Sequence, residues 1–349
     1  MITPAVVGIA RRGKAATVEL TDQRAYQLAR AWVRAWDMLA PEVRDALDRL
    51  ADGAEDGTVT AAQVARDRRL AQALAHAQDT LETLAAQTSA TVTADLSPII
   101  LAAADSHYQQ LLAQLPPDAS QVGRYGLGVL DTDAVDAIVA RTTERIQAAT
   151  LALAPEAVAA MRAELAHGIV VGDNPRTVSR QMLRRVEGRF NGGLARAERI
   201  ARTEMVDAHR AADQAMVQRN RSVIAAAVWT ARLDAKTCPA CVAMHGVEFP
   251  PDEFGPTDHP QGRCTFIYRT KTWAELGFTG VEPAQTVDQT AERDAWWDNL
   301  TDDSQDRILG KARADHLRNG GDWADLVTRR DNPDWRPSVQ ATPLADLAG

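Results

Sequence analysis

Cys238, Cys241 and Cys264 are the only cysteines of the chain, and all three fall within one 27-residue window that also holds His259, one of seven histidines. The order is Cys238-Pro-Ala-Cys241, seventeen residues, His259, four residues, Cys264. Two thiolates separated by two residues can grip one ion from a tight turn. A second pair arriving across a loop completes a tetrahedral Cys₃His set, a closed zinc site. A competing reading makes Cys238 and Cys241 a redox pair and Cys264 a spare buried thiol, but it lacks the βαβ pattern that a thioredoxin-like motif needs. The expectation is a structural Zn²⁺ on Cys238, Cys241, His259 and Cys264.

Other chemistries fit less well. Half of a zinc deaminase signature is present in Cys238-x-x-Cys241, yet no His-x-Glu precedes it to supply the acid/base. An open metal site with His245 or Glu248 as a base would make a nuclease-like or toxin-like effector, the rival functional class. The competing account puts His245-Gly246 in the turn after the knuckle. The run Asp52-Gly-Ala-Glu-Asp56-Gly57 has Ala54 and Gln63 where a calcium loop needs oxygen ligands, so it reads as a helix–helix connection. Between Arg180 and Arg221 ten arginines face five acids. Arg184, Arg185, Arg189, Arg196 and Arg199 are therefore candidates for weak, non-specific contact with DNA phosphate, against the alternative of a solvated face with intrahelical ion pairs. No catalytic constellation is expected.

The elements that must hold these residues are mainly helical. The chain is 45% hydrophobic but only 5% aromatic, a balance that suits amphipathic helices. Its net charge of −8 argues against whole-molecule attraction to DNA or an anionic membrane. With no long apolar run and no signal-like start, a soluble protein of a reducing cytoplasm is expected, and no membrane partner. Residues 1–20 lack a helical period and read as an extended arm. Residues 21–155 form a helical region, in which Tyr26, Leu28, Trp32, Val33, Trp36 and Leu39 stripe one face until Pro41 interrupts. Thr60-Ala-Ala-Gln63 has capping-box spacing and opens a helix to about Leu84, and a further helix starts after Ser97-Pro98.

A helical segment covers 156–221, with Pro175 starting a helix that Asn191-Gly-Gly193 splits. An α+β zinc module spans 222–280, its strands near Val223–Thr230 and Thr265–Tyr268. An acidic helical tail covers 281–349, with a helix at Asp303–Asn319 and loose final residues. The predicted fold class is thus mainly α: a helical N-terminal region, a small zinc-stapled α+β module and a helical tail.

The run Arg196-Ala-Glu198-Arg-Ile-Ala-Arg202-Thr203-Glu204, then Trp229, Asp234-x-x-Thr237-Cys238-x-x-Cys241-x-x-x-x-Gly246, and His259 to Arg263-Cys264 resembles the phage head morphogenesis family, the phage Mu F-like minor head proteins. Gly172-x-x-Pro175 upstream and Trp297, Gln305-x-x-x-Leu309-Gly310 and Asp325-Leu-Val327 downstream extend the likeness over about residues 160–330. The family often ends its window in Cys-Arg-Cys, whereas Gly262-Arg263-Cys264 keeps one cysteine. The resemblance implies a minor structural protein of the virion at the portal vertex. Such a protein is synthesised in the host cytoplasm, acts in head morphogenesis and takes roles in genome packaging and ejection. The partners it implies are the portal protein and a scaffold or major capsid protein.

Overall fold

The computed structural model describes residues 2–53, 59–116, 126–166, 175–251, 262–278, 286–331 and 338–347. It is mainly helical with small sheets toward the C-terminal part, as expected. Helices α1 (Pro4–Asp52), α2 (Ala61–Arg66), α3 (Arg68–Leu112), α4 (Thr132–Leu151), α5 (Leu153–Ala166) and α6 (Pro175–Arg219) precede the first strand. Two compact units result. A first unit gathers Met1–Glu19, Ser97–Ile138 and Val206–Gly349, and a second gathers Leu20–Leu96 and Val139–Met205.

The extended arm expected at residues 1–20 is instead the beginning of α1. Val7, Ala10, Lys14, Thr17 and Thr21 are buried at alternating spacings of three and four, a helical stripe. Three of those five side chains are polar, so hydrophobic periodicity alone hides it. Pro41 does not end the helix either; it lies exposed inside α1. A proline in a helix interior costs about 3 kcal/mol. Leu39, Val43, Ala46 and Leu47 carry the buried stripe straight past it, and their burial offsets that cost. Along the same helix Leu28, Trp32, Trp36 and Leu39 are buried as expected, while Tyr26 and Val33 are exposed.

The capping box is present: the Thr60 hydroxyl accepts from the Gln63 amide, and the Gln63 side chain accepts from the Thr60 amide. Its helix stops at Arg66 rather than near Leu84, and α3 then runs unbroken through Ser97-Pro98. Asp67 accounts for the restart, since its carboxylate accepts from the Leu70 amide at 2.7 Å, as an N-cap does. The glycine pair at 192–193 does not split α6. A Cβ on Gly193 would sit 3.3 Å from the Trp32 ring, 3.6 Å from Leu153 and 3.7 Å from Leu81, so this glycine lets helices approach closely. Around it lies the core of the second unit, which includes Trp32, Trp36, Leu81, Leu153, Met161 and Phe190. Trp32 is fully buried and donates from Nε1 to the Phe190 carbonyl at 3.2 Å.

In the first unit β1 (Ile224–Thr230) is the centre of a three-stranded antiparallel sheet, flanked by β2 (Glu248–Phe249) and β3 (Thr265–Thr270). Between β1 and β2 lies the short α7 (Pro239–Ala243). Helices α8 (Gln289–Asp298), α9 (Asp302–Leu309) and α10 (Lys311–Arg318) follow. The single helix expected at Asp303–Asn319 is thus two, broken at Gly310 with φ +81°. The last residues are not loose throughout: β4 (Val327–Arg330) pairs antiparallel with β5 (Ser338–Ala341). Here the isolated apolar residues Val327 and Val339 pack onto the cysteine cluster, a contact no local pattern announces.

Candidate functional site

Three of the four residues expected to bind zinc, the cysteines, share one cluster. Cys238 is the N-cap of α7, with extended backbone (φ −69°, ψ 152°), Pro239 behind it and its Sγ accepting from the Cys241 amide at 3.4 Å. Serine or aspartate usually takes that position; here a sulfur does. Cys264 immediately precedes β3, whose register sets Trp229 opposite Phe266 and Thr230 opposite Thr265. That register returns Cys264 toward α7. Cys241 and Cys264 are buried in one cluster with Trp229, Ala240, Met244 and Val339, and Cys238 packs against it. Hydrogen bonds to the Cys238 and Cys264 thiols raise the Cys241 thiol well above the ordinary range, and burial adds to the shift.

His259 lies outside the described residues. Among the described residues, no group of three or more His, Cys, Asp or Glu is arranged to hold a metal ion. The donor chemistry nonetheless fits zinc: the three cysteines share one cluster, and thiolate is a preferred zinc ligand.

A polar clamp that sequence reasoning did not single out joins the two halves of this cluster. Arg263 grips Asp234 with both nitrogens, at 2.9 and 2.8 Å, tying the residue before Cys264 to the turn before Cys238. That guanidinium holds the Asp234 carboxyl down at about 2, helped by the Lys236 amide and the Thr237 hydroxyl. The Asp234 amide in turn donates to the Thr237 hydroxyl at 3.3 Å. The available signal was Asp-x-x-Thr directly before the first cysteine, the spacing of a side-chain-stapled turn.

His245 and Glu248, the residues of the rival enzyme reading, are engaged elsewhere. His245 is fully buried, and its Nδ1 accepts from the Ala231 amide at 3.0 Å. With Nδ1 accepting, Nε2 is the ring nitrogen left to donate, and it lies 3.8 Å from a Glu292 carboxylate oxygen. Glu292 is held at about 2 by His245 first and by Arg11 as well. Glu248 forms a two-point ion pair with Arg269 across the strands, at 3.0 and 2.7 Å. Gly246 sits beside them at φ +88°, its amide bonded to the Trp229 carbonyl. A Cβ there would fall 2.7 Å from the Thr290 amide nitrogen and 2.6 Å from its methyl carbon, so no other residue fits.

The arginine candidates all lie on α6. Arg184, Arg185 and Arg199 are exposed. Arg189 pairs with Glu164 and Arg196 with Glu156, which takes up part of their charge.

Residues 159–267 match the family described as Phage Mu protein F like protein. Over that segment the chain is similar to that family. The matched residues run from within α5 through α6, β1 and β2 to the first half of β3, with all three cysteines, and they support a Mu F-like phage head morphogenesis protein. No curated protein and no solved structure matches the chain. No helix among the described residues is long and apolar enough to cross a membrane.

Proposed function

We propose that this chain is a minor structural protein of a tailed-phage head, bound to the portal at its vertex and acting in head assembly, with a part in genome packaging and ejection. The observation that carries this reading is the ordered Mu F-like segment, which spans the helix, the sheet and the cysteine cluster as one stretch. The geometry supports a structural role for the cluster. His245 is fully buried with its Nδ1 accepting from the Ala231 amide, and Glu248 is paired with Arg269, which argues against either as a base on a metal-bound water. In the same reading Cys238, Cys241, Cys264 and His259 hold a zinc ion, which would supply folding free energy to a module with a small apolar core. The partners are the portal protein first, then scaffold or major capsid protein.

Location tests the reading. In a density map of assembled particles, this chain should occupy a few copies at the portal vertex. A full complement distributed over the shell, or complete absence from particles, would contradict it.

A further inference from the structure

Four elements of the first unit meet around a buried carboxylate with a histidine on each side of it. Asp213 of α6 has Oδ1 at 3.8 Å from Nδ1 of His107 on α3, and Oδ2 at 3.5 Å from Nε2 of His209, one turn earlier on α6. From α1 the Thr17 hydroxyl lies 2.9 Å from Nδ1 of His209. From β3 the Tyr268 ring packs against the His107 ring, with centroids 4.1 Å apart. All five side chains are buried, His107 fully. Among the described residues neither ring nitrogen of His107 has a hydrogen-bond partner, so the closed state leaves this polar ring unsatisfied. Lys14 of α1 and Arg210 of α6 are buried as well, with Asp207 3.8 Å from Arg210. Burial is the main reason His209 is held at about 4, and the charges of Lys14 and Arg210 push the same way against Asp213. Burial also raises the Tyr268 phenol well above its ordinary range, so that group keeps its proton.

We propose that this cluster is an acid-operated latch: protonation of His107 and His209 frees the first turns of α1 from α3 and α6 and uncovers Val228 and Ile267 on the sheet. Each added proton places a further positive charge near Lys14 and Arg210, where burial withholds water. Among the described residues, Asp213 is the one carboxylate with an oxygen within 4 Å of either ring. Exposing the rings to water relieves that cost. The first turns of α1 are the part that gives way. They rest on a small cluster of Ile2, Val6, Val7 and Ala10 against Val228 and Ile267, and on Thr17 at the His209 ring. Two ties add to these, the part-exposed Arg11–Glu292 pair and one hydrogen bond from the Val287 amide to the Ile2 carbonyl. The end of α3 is fastened more firmly: the Gln114 side chain donates to the Tyr268 carbonyl at 2.7 Å and accepts from the Thr270 amide at 3.1 Å. Strand β3 is itself paired along its length with β1. Val228 and Ile267 are opposite one another in that pairing, so release of α1 exposes both together. The proposal does not depend on the place of the chain in the particle.

The test is hydrogen exchange of the full-length chain at about pH 7 and pH 5, corrected for the effect of pH on intrinsic exchange. The closed His209 ring takes its proton at about 4 and an exposed one near 6.5, so this histidine alone should favour opening about twentyfold more at pH 5 than at pH 7. Protection of residues 4–19, β1 and β3 should fall roughly tenfold or more, while that of the Trp32 core changes less than about threefold. The double variant His107→Gln with His209→Gln keeps polar side chains there but takes up no proton. Its protection at pH 5 should stay within about threefold of its value at pH 7. Should that variant fail to fold by circular dichroism, nuclear magnetic resonance of isotope-labelled histidine in the parent chain decides: two ring signals should shift over the same pH range in which protection is lost. Four results would overturn the proposal: full protection of the parent chain at pH 5, an equal loss in the double variant (the sign of a metal leaving the cysteines instead), a loss shared by the Trp32 core, or ring signals that shift without loss of protection.

Discussion

The two units are held together by different physics. Among the described residues, the second unit has one continuous apolar core that reaches from Trp32 through Leu81 and Leu153 to Phe190 and Ala197. The first unit has several small clusters instead, one around the cysteines, one around Ile2 and Val228, one around Leu111 and Tyr268, and one around Trp297 and Leu326. It also buries ionisable side chains: Lys14, Asp207, His209, Arg210 and Asp213 are all buried. Small clusters bury less apolar area and stabilise less, so polar ties matter more there. The difference is that the helical unit buries one continuous apolar core, whereas the sheet unit divides its apolar burial among separate clusters.

The comparison breaks if the helical unit proves insensitive to its largest core side chain. Trp32→Ala should cost about 3–5 kcal/mol, read as loss of hydrogen-exchange protection in peptides of the second unit. An effect below about 1 kcal/mol would show that the unit does not rest on this core.

A pH experiment probes the buried polar ties of the first unit. His209 is held at about 4 against an ordinary 6.5, chiefly because burial disfavours its charged form, with Lys14 and Arg210 adding to the shift and Asp213 opposing it. The groups facing its ring are Thr17 at 2.9 Å and Asp213 at 3.5 Å. Between pH 6.5 and 4 the unfolded chain binds the extra proton, so stability is full above 6.5 and falls as pH drops through that window. The loss should approach about 3 kcal/mol near pH 4. Denaturant titrations of the parent chain and His209→Gln should show the variant with the weaker pH dependence; identical slopes would remove the polar-tie argument.

Gly246→Ala should destabilise the first unit by about 2–3 kcal/mol, combining overpacking with an unfavourable positive φ. Exchange protection around β1 and α8 should fall while that of the second unit holds. Smaller still, Asp234→Asn weakens the fork to Arg263; since the pair is partly exposed, the expected cost is about 1 kcal/mol. Its sharper signature is faster reaction of Cys264 with a thiol reagent, and an unchanged rate would show that the clamp does not position the cysteines.

Much of this was legible in the sequence. Ile224, Val228 and Trp229 with Thr230, and the run Thr265-Phe-Ile-Tyr268, announced the strands, and Thr60-Ala-Ala-Gln63 announced its capping box. The cysteine spacing was consistent with the one cluster that the three cysteines share. Proline and glycine misled. Pro41, Pro98 and Gly193 read locally as breaks, yet tertiary packing carries the helices through all three. The first turns of α1 were hidden because their buried stripe is polar at Lys14, Thr17 and Thr21. The Asp234–Arg263 clamp and the His245–Glu292 approach join residues 29 and 47 positions apart, and only the folded chain brings such pairs together.

The measurement that bears most directly on the account is the zinc content of the purified chain, read alongside hydrogen exchange before and after chelation. One zinc per chain is expected, with chelation stripping protection from the sheet and cysteine peptides while the Trp32 core stays protected. Well under one zinc per chain, with the sheet fully protected, would contradict the claim that a metal clasp holds this module closed.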